Sequence, residues 1–272
     1  MSAVRAREPI GVFDSGVGGL SILREIRREL PGEDLVYAAD SQFAPYGDRT
    51  PEEIETRAAV MVEFLIGRGA KAVVVACNTA TGVAIDTLRS RFHLPIVGME
   101  PAVKPAATRT RSGVVGVLAT TRTLSSPRFS RLVETSGGTA RVLLQACPGL
   151  VEQVEAGELS SRATRTLVER YVRALVEKGA DTVVLGCTHY SFLADVIQEV
   201  AGPTVALIDP AKPVALELHR RLQKHSLQDR ETTGGVEEFW STAPSDRGRA
   251  LIARLWGGDV QVRDASPYPV RG

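Results

Sequence analysis

Short apolar runs, many of them β-branched, alternate with longer amphipathic stretches along most of the chain. The runs predict strands at Ile10–Phe13, Leu35–Ala38, Ala72–Val75, Ile96–Gly98, Val114–Leu118, Val142–Leu144, Thr182–Leu185 and Val205–Ile208. Helical periodicity predicts helices between them, as over Leu20–Leu30, Pro51–Gly67 and Ser161–Lys178. Continuous apolar strands separated by helices are typical of parallel sheets covered on both faces, so the pattern predicts an α/β fold.

The pattern occurs twice. Gly69–Thr79 and Gly179–His189 each combine a Gly-Ala turn, an apolar strand and a cysteine followed by polar residues. Two further blocks match in the same order: Ile10–Ser15 with Val115–Thr120, and Glu100–Ala102 with Asp209–Ala211. Three matches in register predict two similar α/β domains with mainly parallel sheets, related by a pseudo-twofold axis. We expect the active site in the cleft between them.

Composition narrows the class of protein. The length of 272 residues favours two domains, and 43% hydrophobic with 24% charged residues is ordinary for a globular enzyme. A net charge of +1 argues against a dedicated nucleic-acid or acidic-membrane binder. No secretory signal or membrane-spanning run is visible, and three cysteines do not form a disulfide framework. We therefore expect a cytoplasmic protein with free thiols.

Cys77 and Cys187 both follow a predicted strand, where parallel sheets bind their ligands. A helix starting after each cysteine would favour its thiolate form. If the two halves face each other, one thiolate removes the proton from an amino-acid Cα and the opposite thiol returns one. This pairing predicts a cofactor-independent amino-acid racemase, and Asn78, Thr79 and Thr188 are suited to holding a carboxylate.

Other chemistries fit less well. The loop Gly16–Gly19 lacks the dinucleotide-binding spacing and no Walker motif occurs, so no cofactor is expected; the loop is either a tight turn or an anion cradle. A metal-binding module would use Cys77, Cys187 and His189 with Cys147, but it lacks the close-spaced cysteine pairs of zinc sites. Thiol redox catalysis lacks a C-x-x-C motif. Cys147, which has no partner motif, is interpreted as structural.

The chain resembles bacterial glutamate racemases over roughly residues 9–262. The motifs that carry the resemblance are Asp14–Gly19, Pro45–Gly47, Cys77–Ala80, Gly116–Thr120, Cys187–Tyr190 and Leu207–Asp209. Two separate cysteine motifs and the first glycine motif make this set specific. Ser191 stands where the family usually has proline.

The resemblance implies roles for individual residues. Cys77 and Cys187 correspond to the catalytic acid/base pair, with Asp14 assisting the first thiol and His189 the second. A further acidic residue aligns with Glu155 rather than Glu152 when the segment is matched through Cys147-Pro148. The substrate-binding segments correspond to Asp14, Ser15, Tyr46, Gly47, Asn78, Thr79, Thr120, Thr188 and His189.

The resemblance also implies domains, substrate and role. We expect a first domain at 1–103 plus 211–272, carrying Asp14 and Cys77. The second, at 104–210, would carry Glu155, Cys187 and His189. The implied reaction interconverts L- and D-glutamate and supplies D-glutamate for cell-wall peptidoglycan and hence cell shape. A homodimer and no nucleic-acid, membrane or metal partner are expected; an aspartate racemase of the same superfamily is the nearest alternative.

Overall fold

The computed structural model describes residues 7–229 and 234–266. The chain forms two compact units. Unit 1 combines the residues up to Met99 with those from Ala211 onward, and unit 2 is Glu100–Pro210. In the described part of the chain, no helix has both the length and the apolar character needed to span a bilayer.

The first part of unit 1 alternates strands and helices: β1 (Ile10–Asp14), α1 (Leu20–Glu29), β2 (Leu35–Ala39), α2 (Pro51–Gly67), β3 (Ala72–Val75), α3 (Asn78–Arg91) and β4 (Ile96–Gly98). Two short 3₁₀ helices, Ser41–Phe43 and Tyr46–Asp48, separate β2 from α2. Every residue of β1, β2 and β3 is buried, which explains why their sequences are apolar apart from Asp14 at the end of β1. Helix α2 begins with a capping box formed by Thr50 and Glu53.

Unit 2 contains α4 (Val103–Arg109), β5 (Val114–Ala119), α5 (Thr121–Leu124), α6 (Pro127–Ser136), β6 (Arg141–Ala146), α7 (Leu150–Glu155), α8 (Arg162–Val176), β7 (Thr182–Leu185), a 3₁₀ helix (Thr188–Leu193), α9 (Ala194–Ala201) and β8 (Ala206–Ile208). The strands form a parallel sheet in the order β6-β5-β7-β8. Val115, Val117 and Val184 from the central strands pack with Phe129 of α6 in one core cluster.

The chain then returns to unit 1 through α10 (Ala211–Lys224), β9 (Glu237–Ser241), α11 (Asp246–Trp256) and β10 (Val262–Asp264). Helix α10 packs against α1. Strand β9 pairs in parallel with β2, and β10 pairs with β9. The completed sheet has six parallel strands in the order β10-β9-β2-β1-β3-β4. The apolar pattern did not predict β9 and β10.

The two sheets share one strand order, because β2-β1-β3-β4 corresponds to β6-β5-β7-β8. The prediction of two similar α/β units with parallel sheets is therefore confirmed. The match extends to the backbone beyond the strands. Ala76 donates its N–H to the Phe13 carbonyl at 2.8 Å, and Gly186 donates to the Leu118 carbonyl at 2.7 Å. Cys77 and Cys187 each follow one of these two donors.

Candidate active site

The carboxyl end of β1 places Asp14 and Ser15 level with Ala76 and Cys77, since β1 and β3 are neighbours with Phe13 opposite Val75. The buried Asp14 carboxylate accepts the N–H of Ser15 at 2.8 Å and the N–H of Gly19 at 2.6 Å. The glycine loop thus folds around a carboxylate of its own chain. This geometry favours the tight-turn interpretation of the loop.

Cys77 is the N-cap residue of α3. Its Sγ accepts the N–H of Ala80 at 3.5 Å and lies 3.7 Å from Ser15 Oγ. The thiol is buried, with 5% of the residue exposed. As expected from the sequence, a helix N-terminus directs N–H groups and the positive end of its dipole at this sulfur, an environment that stabilises a thiolate.

The first turn of α3 brings two further predicted residues to the same edge of the sheet. Asn78 and Thr79 are both buried. The Asn78 amide donates from Nδ2 to the Met99 carbonyl at 3.4 Å. Its Oδ1 is buried and has no hydrogen-bond partner among residues 7–229 and 234–266. A buried acceptor without a protein partner is available to a ligand.

Tyr46 is buried, and its hydroxyl donates to Asp40 Oδ2 at 2.6 Å. Arg57 binds the same carboxylate through Nε at 2.9 Å and Nη2 at 2.8 Å. Burial and the negative charges of Asp40 and Cys77 raise the pKa of Tyr46 well above its ordinary value. Tyr46 is therefore a neutral residue anchored through its hydroxyl. Gly47 follows it within the second 3₁₀ helix.

The sequence analysis did not identify Asp40 and Arg57, which hold the Tyr46 segment. One signal was available: Asp40 directly follows the apolar strand β2, as Asp14 ends β1. The two segments are also joined, because the Asp40 N–H donates to the Asp14 carbonyl at 2.9 Å. The aspartate at the end of β2 therefore braces the loop that carries Tyr46 and Gly47.

Cys187 has a different local environment from Cys77. A helix does begin after Cys187, as expected, but it is a 3₁₀ helix and the Cys187 side chain makes no capping bond. In this tighter turn the Tyr190 N–H donates to the carbonyl of Cys187. The sulfur instead lies 3.7 Å from His189 Nδ1.

His189 connects Cys187 to an acidic residue. Its Nε2 lies 2.7 Å from Glu155 Oε1, at the end of α7, and its Nδ1 lies 3.4 Å from Thr188 Oγ1. Burial lowers the pKa of His189, but its bonds to Cys187 and Glu155 and the attraction of their charges outweigh this and raise the pKa well above its ordinary value. The raised pKa favours the protonated ring, which is paired with Glu155 and lies beside the Cys187 sulfur.

Thr120 occupies the position in unit 2 that Ser15 has in unit 1. Its Oγ1 accepts the N–H of Thr123 at 3.2 Å and donates to Thr123 Oγ1 at 2.9 Å, so the hydroxyl caps α5. Its backbone position brings it level with Cys187, because Leu118 lies opposite Leu185.

The third cysteine, Cys147, is buried and donates its thiol to the Gln145 carbonyl at 3.3 Å. Burial and the nearby Cys187 raise the pKa of Cys147, so it remains a neutral thiol. This environment agrees with its structural interpretation. Across the described ranges, no three Cys, His, Asp or Glu side chains converge as metal ligands would.

Comparison with known proteins places the chain among its relatives. The family model for Asp/Glu/Hydantoin racemase matches residues 10–218. The glutamate racemase of Methylococcus capsulatus is 54% identical over 255 residues, which cover 94% of each chain. The crystal structure of a glutamate racemase from Bacillus anthracis superposes with a TM-score of 0.86 at 32% identity, covering 96% of this chain and 98% of that one.

A second solved structure, Escherichia coli glutamate racemase in complex with L-glutamate and the activator UDP-MurNAc-Ala, gives a TM-score of 0.84. Its identity is 30%, with 95% of this chain and 98% of that chain covered. The two similar parallel sheets, each with a cysteine after the equivalent strand, agree with these matches. Together they define an isomerase, and the chain belongs to the Asp/Glu/Hydantoin racemase family. Within that family it belongs with the glutamate racemases. The resemblance recognised from its motifs is confirmed.

Proposed function

We propose that the protein interconverts L- and D-glutamate by moving a proton at Cα, with Cys77 and Cys187 as the acid/base pair. One observation carries the proposal: equivalent strand ends in two similar sheets both lead into a buried cysteine, each with its own polar neighbours. A duplicated thiol suits a reaction whose forward and reverse directions are mirror images. The proposal requires the thiols to approach one Cα from opposite faces.

Each turnover is a balanced pair of proton transfers. The thiolate of one cysteine takes the Cα proton, and the electron pair of the broken C–H bond remains on the substrate as a carbanion-like species. The thiol of the other cysteine then gives its proton to the opposite face of that carbon. One sulfur ends protonated and the other ionised, so the enzyme is ready for the opposite enantiomer.

The neighbours of the thiols differ in charge and therefore in role. At Cys77 the helix N-terminus stabilises negative charge on the sulfur through the Ala80 N–H, while the thiol donates to Ser15 Oγ and the Asp14 carboxylate holds the turn that carries Ser15. At Cys187 the His189 imidazolium, paired with Glu155, would stabilise the thiolate directly. Each of the two sulfurs thus has its own means of supporting a negative charge.

Several groups can hold glutamate without any cofactor. The partnerless Asn78 Oδ1 is an acceptor suited to the substrate ammonium group. The buried hydroxyls of Ser15, Thr79 and Thr188 can donate to carboxylates, and the Tyr46-Gly47 segment offers backbone groups. Support for glutamate comes from the Escherichia coli relative, whose structure contains L-glutamate.

The test follows racemisation of glutamate by circular dichroism and exchange of the Cα hydrogen in deuterated water by NMR. Cys77→Ser and Cys187→Ser should each lower turnover by orders of magnitude, because a serine hydroxyl is a far weaker acid than a thiol. Cys147→Ala is the matched control, since it removes a buried thiol that has no role in the scheme. Near-normal turnover in either serine variant would refute the two-thiol mechanism.

The substrate assignment has its own outcome in this assay. An aspartate racemase would use the same thiols, so the wild-type enzyme is measured with both amino acids. Faster turnover of aspartate would overturn the assignment of glutamate and leave the racemase mechanism standing.

We further infer that the D-glutamate produced feeds cell-wall peptidoglycan. A mechanism based on thiols also needs them reduced, and the three cysteines are free. The cytoplasm meets this need. The homodimer implied by the resemblance stays a prediction, which analytical ultracentrifugation would check.

A further inference from the structure

Three buried side-chain atoms in the described part of the chain have no hydrogen-bond partner: Asn78 Oδ1, Arg122 Nε and Ser191 Oγ. Each lies in a segment that follows a strand. Asn78 comes after β3, Arg122 after β5, and Ser191 after β7. These three strands are also the ones that lead to the candidate residues Cys77, Thr120 and Cys187. Each of these atoms without a partner therefore lies in a segment that also carries a candidate residue of the proposed site.

Arg122 is the only one of the three that carries a charge. It lies in α5, two residues after Thr120, and the residue is partly buried. The neighbouring helix α6 offers a comparison. There Arg128 is also partly buried, but its Nε donates to Glu100 at 2.7 Å. The chain thus supplies an acidic partner for one arginine Nε and leaves the other without an acceptor.

A buried donor without an acceptor is costly, at about 1–3 kcal/mol and more for a charged group. Such a cost is tolerated at functional sites where a ligand completes the hydrogen bonding. Glutamate carries two carboxylates and one ammonium group, and so has a net negative charge. The planar guanidinium is the protein group best matched to a carboxylate, because its N–H groups form a rigid fork.

We propose that Arg122 binds a carboxylate of the amino-acid substrate and so favours dicarboxylic over monocarboxylic amino acids. The inference rests on the proposed racemase function and adds a residue that the motif resemblance did not include. On this account Arg122 neutralises one carboxylate of the substrate. Because salt screens the attraction between the Arg122 guanidinium and the negatively charged substrate, substrate affinity should be higher at low salt than at high salt.

The experiment compares the steady-state kinetics of wild type, Arg122→Gln and Arg122→Lys with L- and D-glutamate. We expect Arg122→Gln to raise KM about 10-fold or more, from the loss of a charged hydrogen bond, and to change kcat less than about 3-fold. Arg122→Lys should recover part of the affinity, since it keeps the charge but loses the fork. The KM of wild type should rise with ionic strength more steeply than that of Arg122→Gln.

Arg128→Gln is the matched control, because it removes the same charge from the adjacent helix. Its KM should stay within about 2-fold of wild type. Thermal unfolding separates binding from stability: Arg122→Gln should not lower Tm, since it removes a buried donor that lacks an acceptor.

An unchanged KM in Arg122→Gln, with or without a lower Tm, would overturn the inference and leave the racemase function intact. Equal effects of Arg122→Gln and Arg128→Gln on KM would also overturn it. Absence of glutamate racemisation in the wild-type enzyme would overturn both proposals.

Discussion

Replacing Glu155 by glutamine changes one charge in the Glu155–His189–Cys187 chain and keeps its shape. In the wild type the Glu155 side chain is 25% exposed and the His189 side chain 2% exposed, with 2.7 Å between Oε1 and Nε2. A glutamine Oε1 can still accept from Nε2, but it cannot attract the imidazolium as a carboxylate does. The variant therefore isolates the electrostatic part of the interaction.

The magnitude follows from the charge that the glutamine lacks. A hydrogen bond to a charged partner contributes about 1.5–3 kcal/mol, and the glutamine keeps such a bond to the imidazolium while removing the carboxylate charge. The spread of that range, about 1–1.5 kcal/mol, is the size of the effect expected from the lost charge. This effect corresponds to roughly a tenfold weaker affinity of His189 for its proton. Because the Cys187 contact remains, the change should not exceed this range.

The direction of the pH effects is determined by the raised pKa of His189. Stability from the protonated ring is complete below its unfolded pKa of about 6.5 and disappears as pH rises through the folded pKa. Glu155→Gln lowers the folded pKa, so both this stability and the alkaline limb of kcat/KM should move to lower pH. A histidine titration by NMR, with His189→Asn for assignment, measures the same shift directly.

Glu152→Gln is the matched control, since Glu152 is an exposed residue on the same helix. It should leave the titration and the alkaline limb in place. The reasoning is refuted if Glu155→Gln leaves the His189 titration unchanged, or moves it to higher pH. Equal shifts in both variants would point to a general charge effect instead of a direct pair.

Two further predictions concern residues next to the ends of central strands in unit 1. Gly19→Ala would place a Cβ 2.7 Å from the Cβ of Asp14, so it should displace that carboxylate. We expect turnover to fall at least about tenfold in the racemisation assay and stability to fall by about 1–3 kcal/mol in unfolding. Gly258→Ala is the control, because the space around Gly258 is open, and it should have neither effect. Lys71 and Glu33 form a buried ion pair, so Lys71→Met alone should destabilise by about 3–5 kcal/mol in urea unfolding, and Lys71→Met with Glu33→Leu by far less. Equal losses in the single and double variants would contradict that view of the pair.

Much of the architecture could be predicted because buried parallel strands leave a strong signal. The runs at β1, β3, β5 and β7 are continuous and apolar, and each appears as a strand. Strands β9 and β10 were not predicted, since Glu237–Ser241 and Val262–Asp264 are mostly polar and lie toward one side of the sheet. Most residues of these two short strands are not fully buried, so their sequences lack the continuous apolar run that predicts a strand.

Residues of the candidate site could be predicted only where a short sequence motif contains them. The cysteine motifs identified both thiols, and the helix N-terminus at Cys77 followed from its position after a strand. The 3₁₀ turn after Cys187 left no comparable signal, because its residues do not differ in kind from those of an α-helix start. The role proposed for Arg122 could not be predicted from the sequence, because only the three-dimensional structure shows that its Nε has no partner.

The discontinuity of unit 1 has a consequence for biosynthesis. As the chain leaves the ribosome, β1–β4 emerge first, but the outer side of β2 has no hydrogen-bonding partner until β9 is made. Unit 2, encoded in one continuous stretch, is complete earlier. That side of nascent β2 therefore has no native partner while more than half of the polypeptide is translated, and an exposed strand edge of this kind is prone to pair with other chains.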